Sequence, residues 1–229
     1  MKIIGAPADE QVMEADKAVD VSRRRFFQLA GGIAGAGILL SACHRRTPAT
    51  DISLGTGDIA LLNYVYILQQ LEADYYTQAV STYYNTISSS ELVLMTDLRD
   101  QEIAHKKFIQ TILGSNAIPD ILPNFAAATF ADRASLLTFA FQLEDLVISG
   151  MNGVVQHFTN TDYVYALSKM VTAEARHSAY LRDILSSNTF GDASVIDTNG
   201  LDQTATPATV IAKAKLYTLS KIDSSTLPN

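Results

Sequence analysis

Six residues in this chain repeat as a set, and their types are those that hold divalent metals. Glu72 is followed 30 positions later by Glu102 and three further on by His105; Glu144 is followed 30 positions later by Glu174 and three further on by His177. One constant shift of 72 residues relates the two sets. The flanks repeat as well: Gln70-Leu71-Glu72 matches Gln142-Leu143-Glu144, and Phe108-Ile109 after the first histidine matches Tyr180-Leu181 after the second. Four carboxylates and two imidazoles give hard oxygen donors with one nitrogen per metal, a set suited to iron or manganese, with zinc also allowed. Glu102 and Glu174 each share a helix turn with a histidine and are expected to bridge two metals. Glu72 and Glu144 are expected as terminal ligands, and His105 and His177 as the ligands that hold one metal each. The implied cofactor is a pair of iron or manganese ions.

The elements that must position these groups are helices. Positions i, i+3, i+4 and i+7 share one helical face. That face carries Leu61, Val65, Leu68, Tyr76 and Ala79 around Glu72, and Met95, Leu98, Ile109 and Ile112 around Glu102. It carries Leu137, Ala140, Ile148, Met151 and Val155 around Glu144, and Leu167, Met170, Leu181 and Ile184 around Glu174. Each glutamate therefore sits in an apolar stripe, where an unpaired carboxylate is expensive and a shared cation would compensate it. The pattern predicts four long helices over about 57–85, 90–114, 131–158 and 161–187. Asn85–Ser90 and Asn160–Asp162 read as turns. Gly114 stops the second helix, and 115–130, with Pro119 and Pro123, is long enough to run the length of a bundle. Glu72 and Glu102 lie equally far from their turn, whereas a second turn placed nearer Asp162 leaves Glu144 and Glu174 less closely matched.

The six positions and the mid-chain crossover resemble the ferritin-like superfamily of di-metal carboxylate proteins, in which two helices each give a Glu and two each give a Glu-x-x-His. The resemblance covers about residues 57–186 and holds at all six positions. It implies an all-α fold, a ferritin-like four-helix bundle with a long crossover between the second and third helices. The exported ferritin-like domain proteins of bacteria, relatives of the desiccation-related branch, look most similar. The activities implied are redox chemistry with oxygen or peroxide, or ferrous iron oxidation. The alternative is a structural, stress-protective envelope protein whose metals hold the bundle together. Iron storage needs a closed shell that a lipid on every subunit fits poorly. The four-cysteine module of rubrerythrins is missing, because Cys43 is the sole cysteine.

The front of the chain reads as an address. Ser22-Arg23-Arg24-Arg25-Phe26-Phe27 resembles the twin-arginine export signature, and an apolar, glycine-rich run follows from Leu29 to Leu40. That run is short for a membrane-spanning helix, which needs ~20 residues, and reads as a signal to be set aside from the fold. Leu40-Ser41-Ala42-Cys43 resembles a lipobox, with Cys43 as the lipidated residue. The expected partners are the twin-arginine export machinery, a membrane reached through the lipid anchor, and oxygen or peroxide. The expected location is the periplasm, lipid-anchored to the envelope. His44, where an inner-membrane retention signal would have Asp, favours the outer membrane.

The expected organisation is a signal peptide over 1–42, a polar tether over 43–56, the bundle over 57–187 and a C-terminal loop and short helix over 188–229. Residues 1–42 hold equal numbers of acidic and basic residues, so the remainder carries the whole net charge of −7. With no basic patch, nucleic-acid binding is disfavoured. Thr206-Pro207 reads as a helix start, cap followed by Pro in the first turn, for a helix to about Ser220. That helix would close one end of the bundle or meet a second copy of the chain in a homodimer. Tyr75, Tyr76, Tyr83 and Tyr84 are placed on the first helix, with Tyr76 one turn after Glu72 the best situated to touch the centre. Gln70 and Gln142 are candidate hydrogen-bond donors to the ligands, with surface placement the alternative. Asp145 faces away from Glu144, and His157 reads as a helix-end residue.

Overall fold

The computed structural model of the chain describes residues 51–229, so Arg23, Arg24 and Cys43 lie outside the described residues. Four long helices dominate: α1 (Gly57–Ser81), α2 (Ser89–Leu113), α3 (Arg133–Val154) and α4 (Thr161–Leu185). A short helix, α5 (Pro207–Ala214), follows. Two-residue strands, β1 (Ile52–Ser53) and β2 (Ile222–Asp223), pair in parallel, Ile52 opposite Ile222. α1 pairs with α2 and α3 with α4, while contacts between α1 and α3 join the two pairs. This is the expected bundle, with its crossover between the second and third helices.

Local chemistry sets the helix starts. Ser88 accepts from the Glu91 N–H, Asp132 from the Ser135 N–H, Asn160 from the Asp162 N–H and Thr206 from the Thr209 N–H. Each satisfies a donor that the first turn leaves without a helical partner. The α3–α4 turn is also tied to the start of α1, because Asp58 accepts from the Thr159 N–H and hydroxyl and from the Asn160 N–H.

α1 is the axis of the molecule. Every residue from Ala60 to Ala73 is buried, whichever way it points. A helix enclosed on all sides has no solvent face, yet this one carries Asn63, Gln69, Gln70 and Glu72, which must find partners inside. Asn63 donates to the carbonyls of Leu54 and Asn116 and accepts from the Ile118 N–H. Gln70 accepts from the Ile121 N–H at 2.8 Å. These two amides fasten the crossover, whose Ile118, Ile121, Phe125 and Phe130 are buried in the core. Gln70 is thus a clamp on the crossover and not a partner of the ligands, and its counterpart Gln142 is exposed.

Two boundaries differ from expectation. α1 ends at Ser81 rather than 85, because the Thr82 hydroxyl and N–H both turn back to the Gln78 carbonyl. Tyr83 and Tyr84 therefore lie in the turn, where the Tyr84 hydroxyl donates to Glu91 and Arg133 holds the other Glu91 oxygen. α5 ends at Ala214 rather than near Ser220. Beyond a 3-10 turn at Lys215–Tyr217 the chain pairs with the crossover: Asn124 N–H donates to the Tyr217 carbonyl, and Leu219 N–H to the Leu122 carbonyl. The short helix packs against α3 and α1, with Val210, Ile211 and Ala214 buried.

Residues 133–157 are long and apolar enough to cross a membrane by composition, but 61% of that window is buried inside the bundle, which is the position of a core helix. Gly153 on this helix marks a close approach: a Cβ there would stand 1.9 Å from the backbone carbonyl oxygen of Ala205. Gly to Ala in a helix interior ordinarily stabilises by about 0.5–1 kcal/mol. Here the sign is expected to invert, because the obstacle is backbone. Gly153→Ala is expected to destabilise by about 1–3 kcal/mol, measured by denaturant unfolding against wild type.

Candidate metal centre

Glu72, Glu102, Glu144 and Glu174 are all fully buried at 0% exposure, one from each long helix. His177 is 8% exposed and the His105 side chain 14%. The structure brings all six sequence-predicted residues to one level of the bundle. The counting that achieves this differs from expectation. Glu144 stands 13 residues before His157, the end of the 3-10 extension of α3, and Glu174 stands 13 after Thr161. Glu72 stands only nine before Ser81, while Glu102 stands 13 after Ser89. The uneven pair is therefore the first one, and the seven-residue connection 82–88 supplies the missing rise.

The histidines and the two middle carboxylates interlock. His105 Nδ1 lies 3.1 Å from Glu102 Oε2 and 3.0 Å from Glu174 Oε1. His177 Nδ1 lies 3.0 Å from Glu102 Oε1, 3.2 Å from Glu174 Oε2 and 3.5 Å from Glu144 Oε2. Glu102 and Glu174 each turn one oxygen to each histidine, while Glu144 belongs to the His177 side. The two imidazole rings are 6.4 Å apart, centroid to centroid.

The donor set fits a cation. Glu72 Oε1, Glu102 Oε1, Glu144 Oε2, Glu174 Oε2 and His177 Nδ1 are buried without a hydrogen-bond partner. Although His177 Nδ1 is close to three carboxylates, its geometry forms a hydrogen bond to none of them. Buried polar atoms are normally satisfied, and five such atoms converging on one place are accounted for together by positive charge between them. Among the described residues, Glu102, Glu144, Glu174 and His177 each present a ligand atom within 4.8 Å of the others, a group that can hold a metal ion.

Without a cation the protons redistribute. Burial, then the charges of Glu174, Glu144 and Glu102, push the Glu72 carboxyl well above the ordinary range. Burial raises Glu144 to about 8, against the pull of His177. Burial also works against charge on Glu174, but His105 and His177 overcome it and hold this carboxyl low, at about 2. Burial opposes charge on the histidines too, yet contact with the carboxylates raises His105 to about 10 and His177 to about 12. In the metal-free state the imidazoliums stand in for cations.

Among the described residues, Tyr76, Gln69 and Gln101 are hydrogen-bonding neighbours of the centre. Tyr76 donates its hydroxyl to Glu144 Oε1 at 2.5 Å. Burial, then Glu144, raises that phenol well above its usual value. Gln69 Nε2 donates to Glu72 Oε2 at 2.7 Å and to Glu174 Oε1 at 3.0 Å. Gln101 Oε1 faces His177 Nε2 at 3.1 Å, where it accepts the Nε2 N–H and would leave Nδ1, once deprotonated, free to meet a metal. Tyr76 is the tyrosine expected to touch the centre. Gln69 and Gln101 are absent from the sequence-based expectation, because the repeated Gln-Leu-Glu triplet points to Gln70. The signal was available: Gln69 precedes Glu72 by three residues, the same spacing that joins each Glu to its His. Asp145 turns outward to Arg182 and Ser178, as its direction predicted, and His157 is half-buried at the end of the 3-10 turn after α3.

Metal uptake must displace protons from His105, His177, Glu72 and Glu144, all of which hold them more tightly than free side chains do. Affinity for divalent metal is therefore expected to rise with pH between about 6 and 9, by up to about tenfold per unit for each proton released. Calorimetric titration in buffers of different ionisation enthalpy counts those protons. The sign for folding is opposite at the histidines. Their raised values stabilise the metal-free protein fully below about pH 6.5, and that contribution fades as pH climbs through about 10, the value for His105.

The model of the "Ferritin-like domain" family matches residues 57–187, the span from α1 to just past α4. No curated protein matches the chain. With more than half of the chain covered and the six carboxylate and imidazole groups gathered in its bundle, the chain belongs to the ferritin-like domain family.

Proposed function

We propose that this protein is an exported, membrane-anchored di-metal carboxylate protein that binds two iron or manganese ions and carries out redox chemistry with oxygen or peroxide, or oxidises ferrous iron. Glu72, Glu102, His105, Glu144, Glu174 and His177 are the proposed ligands. The observation that carries the reading is the pair Glu102 and Glu174, fully buried and each offering one oxygen to each histidine. A bound pair of metals would supply the electrons for reduction of oxygen or peroxide. The chain itself excludes bulk water from the carboxylates, orients His177 through Gln101 and engages Glu144 through Tyr76.

The complete burial of four carboxylates also favours a second reading, in which the metals hold the bundle together in a stress-protective envelope protein. Elemental analysis of protein purified from its native host without added metal is expected to give about two metal ions per chain, the number a paired carboxylate site holds. The double variant Glu102→Gln, Glu174→Gln is expected to lose both metals while remaining helical, and with them any consumption of oxygen or peroxide. A well-folded wild-type protein without metal would sink both readings. A metal-loaded protein inert to oxygen and peroxide, with and without reductant, would leave the structural one.

The envelope location is carried by sequence alone: the Arg23-Arg24 signature and the Leu40–Cys43 box. Cys43→Ser is expected to move the protein from the membrane fraction to the soluble periplasmic fraction, and Arg23→Lys with Arg24→Lys to leave it unprocessed in the cytoplasm. Fractionation with mass analysis of the amino terminus reads both.

A further inference from the structure

The two histidine sides of the centre are unlike. On the His177 side, four ligand atoms already converge. On the His105 side, the carboxylate oxygens are engaged by an amide. Gln69 Nε2 donates to Glu72 Oε2 and to Glu174 Oε1, and Glu174 Oε1 is the same atom that lies 3.0 Å from His105. The amide thus places N–H groups on the oxygens a cation at His105 would need. Its own carbonyl oxygen is buried without a partner, in a residue at 0% exposure. A buried acceptor left unbonded is a cost of the metal-free arrangement. Turning the carboxamide over would exchange donor for acceptor at the same place.

We infer that Gln69 gates one of the two metal positions: the His177 side fills first, and the His105 side fills only as Gln69 withdraws its N–H groups from Glu72 and Glu174 and turns its carbonyl oxygen inward. The inference rests on the di-metal reading above. The ligand repeat gives no hint of it, because the six ligands are symmetric. The symmetry is broken around them. The counterpart of Gln69, 72 residues on, is Phe141, and its ring lies 4.6 Å from the guanidinium carbon of Arg182. Tyr76 corresponds to Ile148 and Gln101 to Ala173. Among the described residues, Tyr76, Gln69 and Gln101 all come from the first helix pair, and of the three Gln69 alone bonds two of the proposed ligand carboxylates.

The test is an anaerobic titration of the full chain with Co²⁺ alone, followed by its visible absorption, in wild type and in Gln69→Leu. Wild type is expected to bind two equivalents in two steps, the second weaker by about tenfold or more. In Gln69→Leu the first constant is expected to stay unchanged and the second to tighten by about tenfold. Gln69→Met, which keeps the length and removes the donor, replaces the leucine variant if that one fails to fold. Two equal steps in wild type would overturn the gate. So would a second step in the variant that is unmoved or weakened, or a loss that strikes both steps together, the mark of a merely structural residue. No binding at either step in folded wild type would instead overturn the di-metal reading itself.

Discussion

The rest of this structure depends on four carboxylates kept out of water at one level of a helical bundle. Removing a carboxylate from water costs several kcal/mol even after the protein relaxes. Four at one level repel each other as well. The chain meets this cost in two ways. In the metal-free state Glu72 and Glu144 retain protons while His105 and His177 take them up. In the loaded state that we propose, cations take over the same task. The site is balanced by design for positive charge, and protons occupy the role when metal does not.

That constraint explains the polar residues of α1. A helix buried on every side would ordinarily be apolar throughout. Asn63 and Gln70 instead direct their amides to the backbone of the crossover, while Gln69 directs its amide and Tyr76 its hydroxyl to the carboxylates. The crossover is irregular backbone laid against the core, so its N–H groups need acceptors, and α1 offers two of them, to Ile118 and Ile121, while the C-terminal tail receives Leu122 and Asn124. One helix therefore fixes the long connection and trims the centre, and the two are mechanically linked through residues 69 and 70, side by side in the chain.

Much of this was legible in the sequence because it is periodic. The repeat of Glu and Glu-x-x-His marks both the candidate ligands and the helices that must carry them, and Thr206-Pro207 announces α5. What escaped was set by single hydrogen bonds that leave no period. The end of α1 at Ser81 follows from Thr82 turning back to Gln78, and no apolar pattern records that choice. The end of α1 at Ser81 makes the first pair of ligand heights uneven, and the turn at 158–160, ahead of Asp162, makes the second pair even. The repeat points to Gln70, which recurs as Gln142, and is silent on Gln69, which does not recur. The roles were reversed because a crossover, which has no counterpart in the other half, lies against Gln70. Asymmetry of this kind is invisible to an argument from internal symmetry.

The parallel pair of β1 and β2 is only two residues long, with the Ile52 N–H bonded to the Lys221 carbonyl at 2.7 Å. Its placement matters more than its size. A pull on the chain ahead of Asp51 would reach this ladder before it reached Thr56 and the first turn of α1. The far side of the ladder leads back through Leu219 to the crossover. Tension at the amino-terminal end would thus fall in part on the carboxy-terminal tail and on the strap between α2 and α3 before it reached the helix that carries Glu72.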